Sequence, residues 1–149
     1  MTLEALLAYA HLLAILTMVV FLASEAALCR VEWLNAAVVE RLGKIDMVYG
    51  ISAGVVLLTG LARVFLGSKG AAWYAHNPLL YVKLALFLVV GLISIKPTLM
   101  FVRWRRALRA SGALPDAPEI KKARRLVMVQ AHILPFIPLA AVFLARGFG

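Results

Sequence analysis

The sequence predicts an all-α fold: an integral membrane four-helix bundle with both termini outside. Three observations predict it. Four long apolar runs cover residues 3–28, 45–66, 79–102 and 126–145, separated by polar breaks. Each is about 20 residues or longer, the length a helix needs to cross roughly 30 Å of hydrocarbon. Hydrophobic residues make up 64% of the 149 residues, well above the roughly 45–50% usual for a soluble domain. The basic residues are also placed unevenly. Eight of them lie in the basic loop 103–125 (Arg103, Arg105, Arg106, Arg109, Lys121, Lys122, Arg124 and Arg125), and Arg30, Arg41 and Lys44 follow the first run. Lys69 stands alone between the second and third runs. An excess of Lys and Arg marks cytoplasmic loops, so the first and third loops are assigned to the cytoplasm. The expected location is a bacterial inner (plasma) membrane, crossed several times.

The chain is read as a single transmembrane domain, 1–149, without repeats. The first run is longer than a signal-peptide core and no Lys or Arg precedes Leu3, so it is expected to stay as a spanning helix. The formal net charge of +9 does not point to nucleic acid, because the basic residues are concentrated in two loops of a membrane protein. Those loops face anionic lipid headgroups instead, which makes membrane lipid the expected partner. Cys29 is the one cysteine. It has no intramolecular disulfide partner and is read as an inert small residue.

In the first run, Glu4, His11, Met18 and Glu25 recur every seven residues. Seven residues is nearly two turns, so the four share one stripe, and a stripe with an imidazole and two carboxyls should face the bundle interior. Glu4 and Glu25 are expected near the two ends, within reach of water and headgroups. His11 lies about 12 Å below the outer edge at 1.5 Å rise per residue, where it must hydrogen-bond or bind something.

The second run is expected to start at residue 45, with Asp46 capping it. Tyr49, Gly50, Ala53, Gly54 and Gly60 form a small-residue face; such faces allow close helix packing or leave room for a flat cofactor. Arg63, near the outer end, can snorkel. Asn77-Pro78 marks the entry to the third run, with Pro in the first turn. There Lys83 lies at a depth comparable to His11, although it can also snorkel outward. Pro97 is expected to kink that helix. Residues 111–118, rich in Gly, Pro and Ser, form the tip of the basic loop. Trp73, Tyr74 and Tyr81 are read as an outer aromatic belt and Trp33 and Trp104 as an inner one. In the fourth run Gln130 and His132 precede Pro135 and Pro138, whose missing N–H groups free carbonyls that need partners.

Buried polar groups in such a bundle point to haem, quinone or porphyrin binding, a metal ion or a proton path. His11 and His132 are the candidate haem ligands, with His132 alternatively bonding a propionate, pairing with a carboxylate or lining a quinone site. Nonhaem metal sites have less in their favour: three His and one Cys are present without clustered spacing. No phosphate loop, nucleotide fingerprint or nucleophile–base motif is present.

The stretches Ala10-His11-Leu12-Leu13 and Tyr81-Val82-Lys83-Leu84-Ala85-Leu86, with Arg41, Met47 and Gly60 in comparable order, resemble the HemJ-type protoporphyrinogen oxidase family. The fourth run differs: Gln130-Ala131-His132-Ile133-Leu134-Pro135 lacks the carboxylate that the family carries close before a proline. The resemblance is thus to a sister family of small four-helix bacterial membrane proteins. It implies haem b in a helical bundle, His11 as the metal ligand, Lys83 near the haem or porphyrin, and an oxidoreductase passing electrons onward. The expected function is therefore a haem-binding membrane protein for redox chemistry. The alternatives are a small transporter, metal or ion permease or assembly factor whose His and Lys side chains line a polar path, and a homo-oligomer whose polar groups only specify packing.

Overall fold

The computed structural model describes residues 2–148. Among them every regular element is a helix: α1 (Thr2–Leu28), α2 (Ala36–Leu66), α3 (Ala71–Ala75), α4 (Pro78–Ser111), α5 (Ala117–Ile133) and α6 (Phe136–Ala145). Four spans are long and apolar enough to cross a membrane: α1, α2, α4 and the pair α5–α6. The apolar surface confirms the solvent they suit. Leu6, Leu58, Phe65, Leu88 and Leu99 are all more than 60% exposed, which water would not tolerate in such numbers and lipid does.

The helices run past the apolar segments at one end of the bundle. α2 begins at Ala36 rather than 45, α4 continues to Ser111 rather than 102, and α5 begins at Ala117 rather than 126. The basic loop 103–125 is therefore a helical hairpin with a short turn, here called the basic end. Leaving hydrocarbon does not end a helix; a cap does. Asn35 caps α2, its Oδ1 accepting from Val38 N at 2.9 Å. Gly112, in the left-handed region at φ 72°, closes α4 through its N–H to Leu108 O. Asp116 caps α5 through Glu119 N at 3.0 Å. Asn77 and Pro78 start α4 where the sequence places them.

Asp46 is thus no cap. It lies ten residues inside α2 and is buried. Trp104 is likewise not a headgroup anchor: it is 3% exposed, stacks edge-on to Phe101, and donates Nε1–H to Glu119 at 3.0 Å. The extended α4 carries it into the core of the hairpin. Across that hairpin Arg103 pairs with Glu119, and Arg109 of α4 clamps Glu40 of α2 through two hydrogen bonds of 2.8 and 2.9 Å.

α4 passes through Pro97 as one continuous helix. The fourth span breaks at Leu134-Pro135, between α5 and α6. Pro138 has no N–H to give the Leu134 carbonyl, and Ile137 N takes that acceptor at 3.1 Å. The most extensive helix pairing is α1 on α2; α4 packs on α2, α5 and α6, and α5 also meets α1.

Candidate functional site

The α1 stripe organises the interior. His11, Ala14, Met18, Leu22 and Glu25 are buried, and Cys29 continues the line. Steps of three and four residues keep one face inward. Glu4, at the start of the stripe, is exposed and accepts from Ser68 at 3.2 Å.

Toward the end that carries the 67–77 connection, the stripe borders a chamber of about 790 Å³ between α1, α2, α4 and α6. That volume lies within the roughly 300–1,000 Å³ usual for ligand sites. Most of the wall is apolar, including Met18, Val56, Phe87 and Leu134. Four side chains with polar groups border it: His11, Arg63, Lys83 and Tyr81, whose hydroxyl donates to Ala75 O at 2.9 Å.

His11 Nδ1 is 2.7 Å from Thr59 Oγ1, and that hydroxyl donates its own hydrogen to Val55 O, also at 2.7 Å. With the hydroxyl hydrogen on Val55 O, the imidazole supplies the proton at Nδ1 and Nε2 keeps its lone pair. A second residue fixes the ring: a Cβ at Gly60 would come within 3.2 Å of His11 Cε1. The small residue at 60 makes space for the α1 imidazole where α1 packs on α2. A Cβ at Gly50 or Gly54 would meet nothing within 4 Å, and both glycines sit on the exposed face of α2.

Lys83 and Arg63 have no ion-pair partner among the described residues; the carboxylates that form ion pairs, Glu40 and Glu119, are at the basic end. The chamber therefore offers an imidazole lone pair and two cations, with no protein carboxylate to neutralise them.

His132 does not join this group. Its ring is exposed on the outside of α5 and bonds its own helix, Nδ1 to Met128 O at 2.6 Å, and it does not border the chamber. A ligand pair of His11 and His132 is therefore not assembled within one chain. His76 is exposed in the connection, bonded to Ala72 O. No three His, Cys, Asp or Glu side chains converge among the described residues.

A second polar group lies nearer the basic end, and sequence reasoning dispersed its members. Glu25 is 1% exposed, not interfacial. It faces Asp46 of α2 within hydrogen-bonding range. Thr98 of α4 donates to Asp46 Oδ1 at 2.9 Å, and Tyr49 of α2 donates to Gln130 Oε1 of α5 at 2.9 Å. All four spans contribute. The signal that would have found it was the stripe itself: if His11 and Met18 face inward, so does Glu25, seven residues on. Cys29 closes the stripe, fully buried with its thiol toward Ile120 O at 3.7 Å. Burial pushes that thiol up to about 12, which keeps it protonated and unreactive.

No curated protein and no solved structure matches the chain. A lipid-suited surface, four candidate spans and polar side chains gathered inside agree with the family model that matches over residues 3–149: the chain belongs to the family described as Predicted membrane protein (DUF2214).

Proposed function

We propose that the chamber binds a flat, amphipathic, anionic molecule of the porphyrin class, with haem b as the resident group and redox chemistry as its use. One observation carries this reading. His11 is held at Nδ1 beside Thr59 and borders an apolar chamber whose two cations lack carboxylate partners. A histidine held at one nitrogen by a hydrogen bond is oriented to ligate through the other. Arg63 and Lys83 suit the two propionates of such a group, and the apolar wall suits its macrocycle. Haem would supply one-electron chemistry at its iron. The chain's own part is to hold the ring, exclude water and neutralise the carboxylates. The resemblance of the His11 and Lys83 stretches to the HemJ-type family supports the same assignment. His132 has no role in it.

The test is an absorption spectrum of the detergent-purified protein from haem-replete cells, air-oxidised and then dithionite-reduced. We expect a Soret band that shifts and sharpens on reduction. His11→Ala should lose the haem while still inserting in the membrane, and His132→Ala should keep it. A colourless wild-type protein, or full haem occupancy in His11→Ala, would overturn the reading.

A further inference from the structure

We propose that Glu25 and Asp46 form a buried proton-binding site, in which two carboxyl groups on neighbouring helices share one exchangeable proton. The inference does not depend on what occupies the chamber.

The geometry leaves few other ways to satisfy these oxygens. Glu25 is 1% and Asp46 6% exposed, so water does not solvate them. Their carboxyls lie within hydrogen-bonding range of each other. Thr98 gives its hydroxyl hydrogen to Asp46 Oδ1, but Glu25 Oε1 receives no donor at all. The polar groups on the packed elements are already committed. On α2, Tyr49 donates to Gln130 Oε1. On α5, Arg124 donates to Ala26 O at 2.7 Å and Gln130 Nε2 points to Leu126 O at 3.3 Å. After α1, Cys29 turns its thiol to Ile120 O. No ion pair reaches either carboxyl among the described residues.

Two carboxylates in contact, shielded from water and without a cation, do not both stay ionised. A proton on one of them provides the donor that the cluster lacks and converts the repulsion into a hydrogen bond. Such a pair titrates as a unit, so the proton belongs to both residues.

Glu25 lies in the last turn of α1, one turn before the fully buried Cys29. One turn in the other direction, Leu22 borders the chamber. The pair thus sits between the buried base of the basic end and the chamber wall, where a proton can be stored.

The experiment is infrared spectroscopy of the full chain in lipid at neutral pH, with the side-chain carboxyls carbon-13-labelled in Glu or, separately, in Asp. We expect a protonated-carboxyl C=O band that one or both labels shift, that moves in heavy water, and that disappears in Glu25→Gln. The Asp label is nearly site-specific, since Asp46 and the exposed Asp116 are the two aspartates. Labelled wild-type protein therefore decides the matter even where the variant fails to fold. No protonated-carboxyl band at neutral pH, or a band unchanged in folded Glu25→Gln, overturns the proposal. Loss of the band on adding sodium at constant pH also overturns it, in favour of a metal-cation site. None of these readouts uses a chromophore, so they stand apart from the haem test.

Discussion

Tyr49→Phe tests whether the inner polar group holds the spans together. The ring of Tyr49 is buried and stays in place; the substitution deletes only the hydroxyl that donates to Gln130 Oε1 at 2.9 Å. Gln130 is 1% exposed, and its remaining bond runs from Nε2 to its own helix, so Oε1 is left with nothing. A buried acceptor stripped of its donor costs about 1–3 kcal/mol in water-soluble proteins. Interhelical hydrogen bonds in membrane bundles average nearer 0.6 and reach about 1.7 kcal/mol, because the lipid-embedded unfolded state finds partners too. The lower scale governs here, and the expected loss is about 1 kcal/mol. The assay is equilibrium unfolding in mixed detergent, run as a double-mutant cycle with Gln130→Met, which keeps the side-chain length while removing the orphaned oxygen. Tyr49→Phe combined with Gln130→Met should recover most of the loss. A single-variant effect within the roughly 0.5 kcal/mol of a surface change, or a double variant worse than the sum of both, would refute the reasoning.

Two further outcomes follow from contacts of the same kind. Gly60→Ala places a methyl carbon 3.2 Å from His11 Cε1, whereas Gly54→Ala meets nothing within 4 Å. Haem retention, read from the ratio of Soret to protein absorbance, should fall in Gly60→Ala and hold in Gly54→Ala; equal retention in both would remove the steric link between residue 60 and the imidazole. For sidedness, the buried Cys29 gives the native protein no accessible thiol, so single cysteines at Ser68 and Ser111 report cleanly. An impermeant maleimide applied to intact cells should label the residue-68 variant and spare the residue-111 variant, as the loop charges require; the reverse pattern would invert the assigned orientation.

The spans were legible because lipid imposes one strong rule on composition, and four apolar runs of sufficient length satisfy it with little ambiguity. Their ends were not legible by the same rule. Hydropathy marks where hydrocarbon stops, while helices stop at Asn35, Gly112 and Asp116. That one shift misplaced Asp46 as a cap, Trp104 as an anchor and Glu25 as interfacial. The seven-residue stripe was sounder evidence than depth counted from an assumed boundary, and it correctly turned His11, Met18 and Glu25 inward. His11 and Lys83 were singled out from sequence and do meet at one chamber; His132 was singled out by residue type alone, and residue type says nothing about which side of α5 it occupies. Arg63, read as a snorkelling cation, borders the chamber beside them.

The two polar groups differ in a way that separates packing from binding. A polar side chain in a lipid-embedded bundle is retained either because another helix satisfies it or because a ligand does. Around Tyr49, Thr98 and Gln130 the partners come from the protein: α2 bonds to α5 and to α4, which fixes how the spans sit against one another. At the chamber the partners are missing. His11 is anchored at Nδ1 and borders the chamber, and Arg63 and Lys83 face no carboxylate among the described residues. Glu25 falls between the two cases: it is placed inside the packed network, yet one oxygen has no donor. A packing role alone would be served better by an apolar side chain at position 25, since a half-satisfied buried carboxyl weakens a bundle. Its deficit is one hydrogen, whereas the chamber's is a group with a ligand-accepting centre and negative charge, so each site's occupant follows from what its own side chains leave unsatisfied.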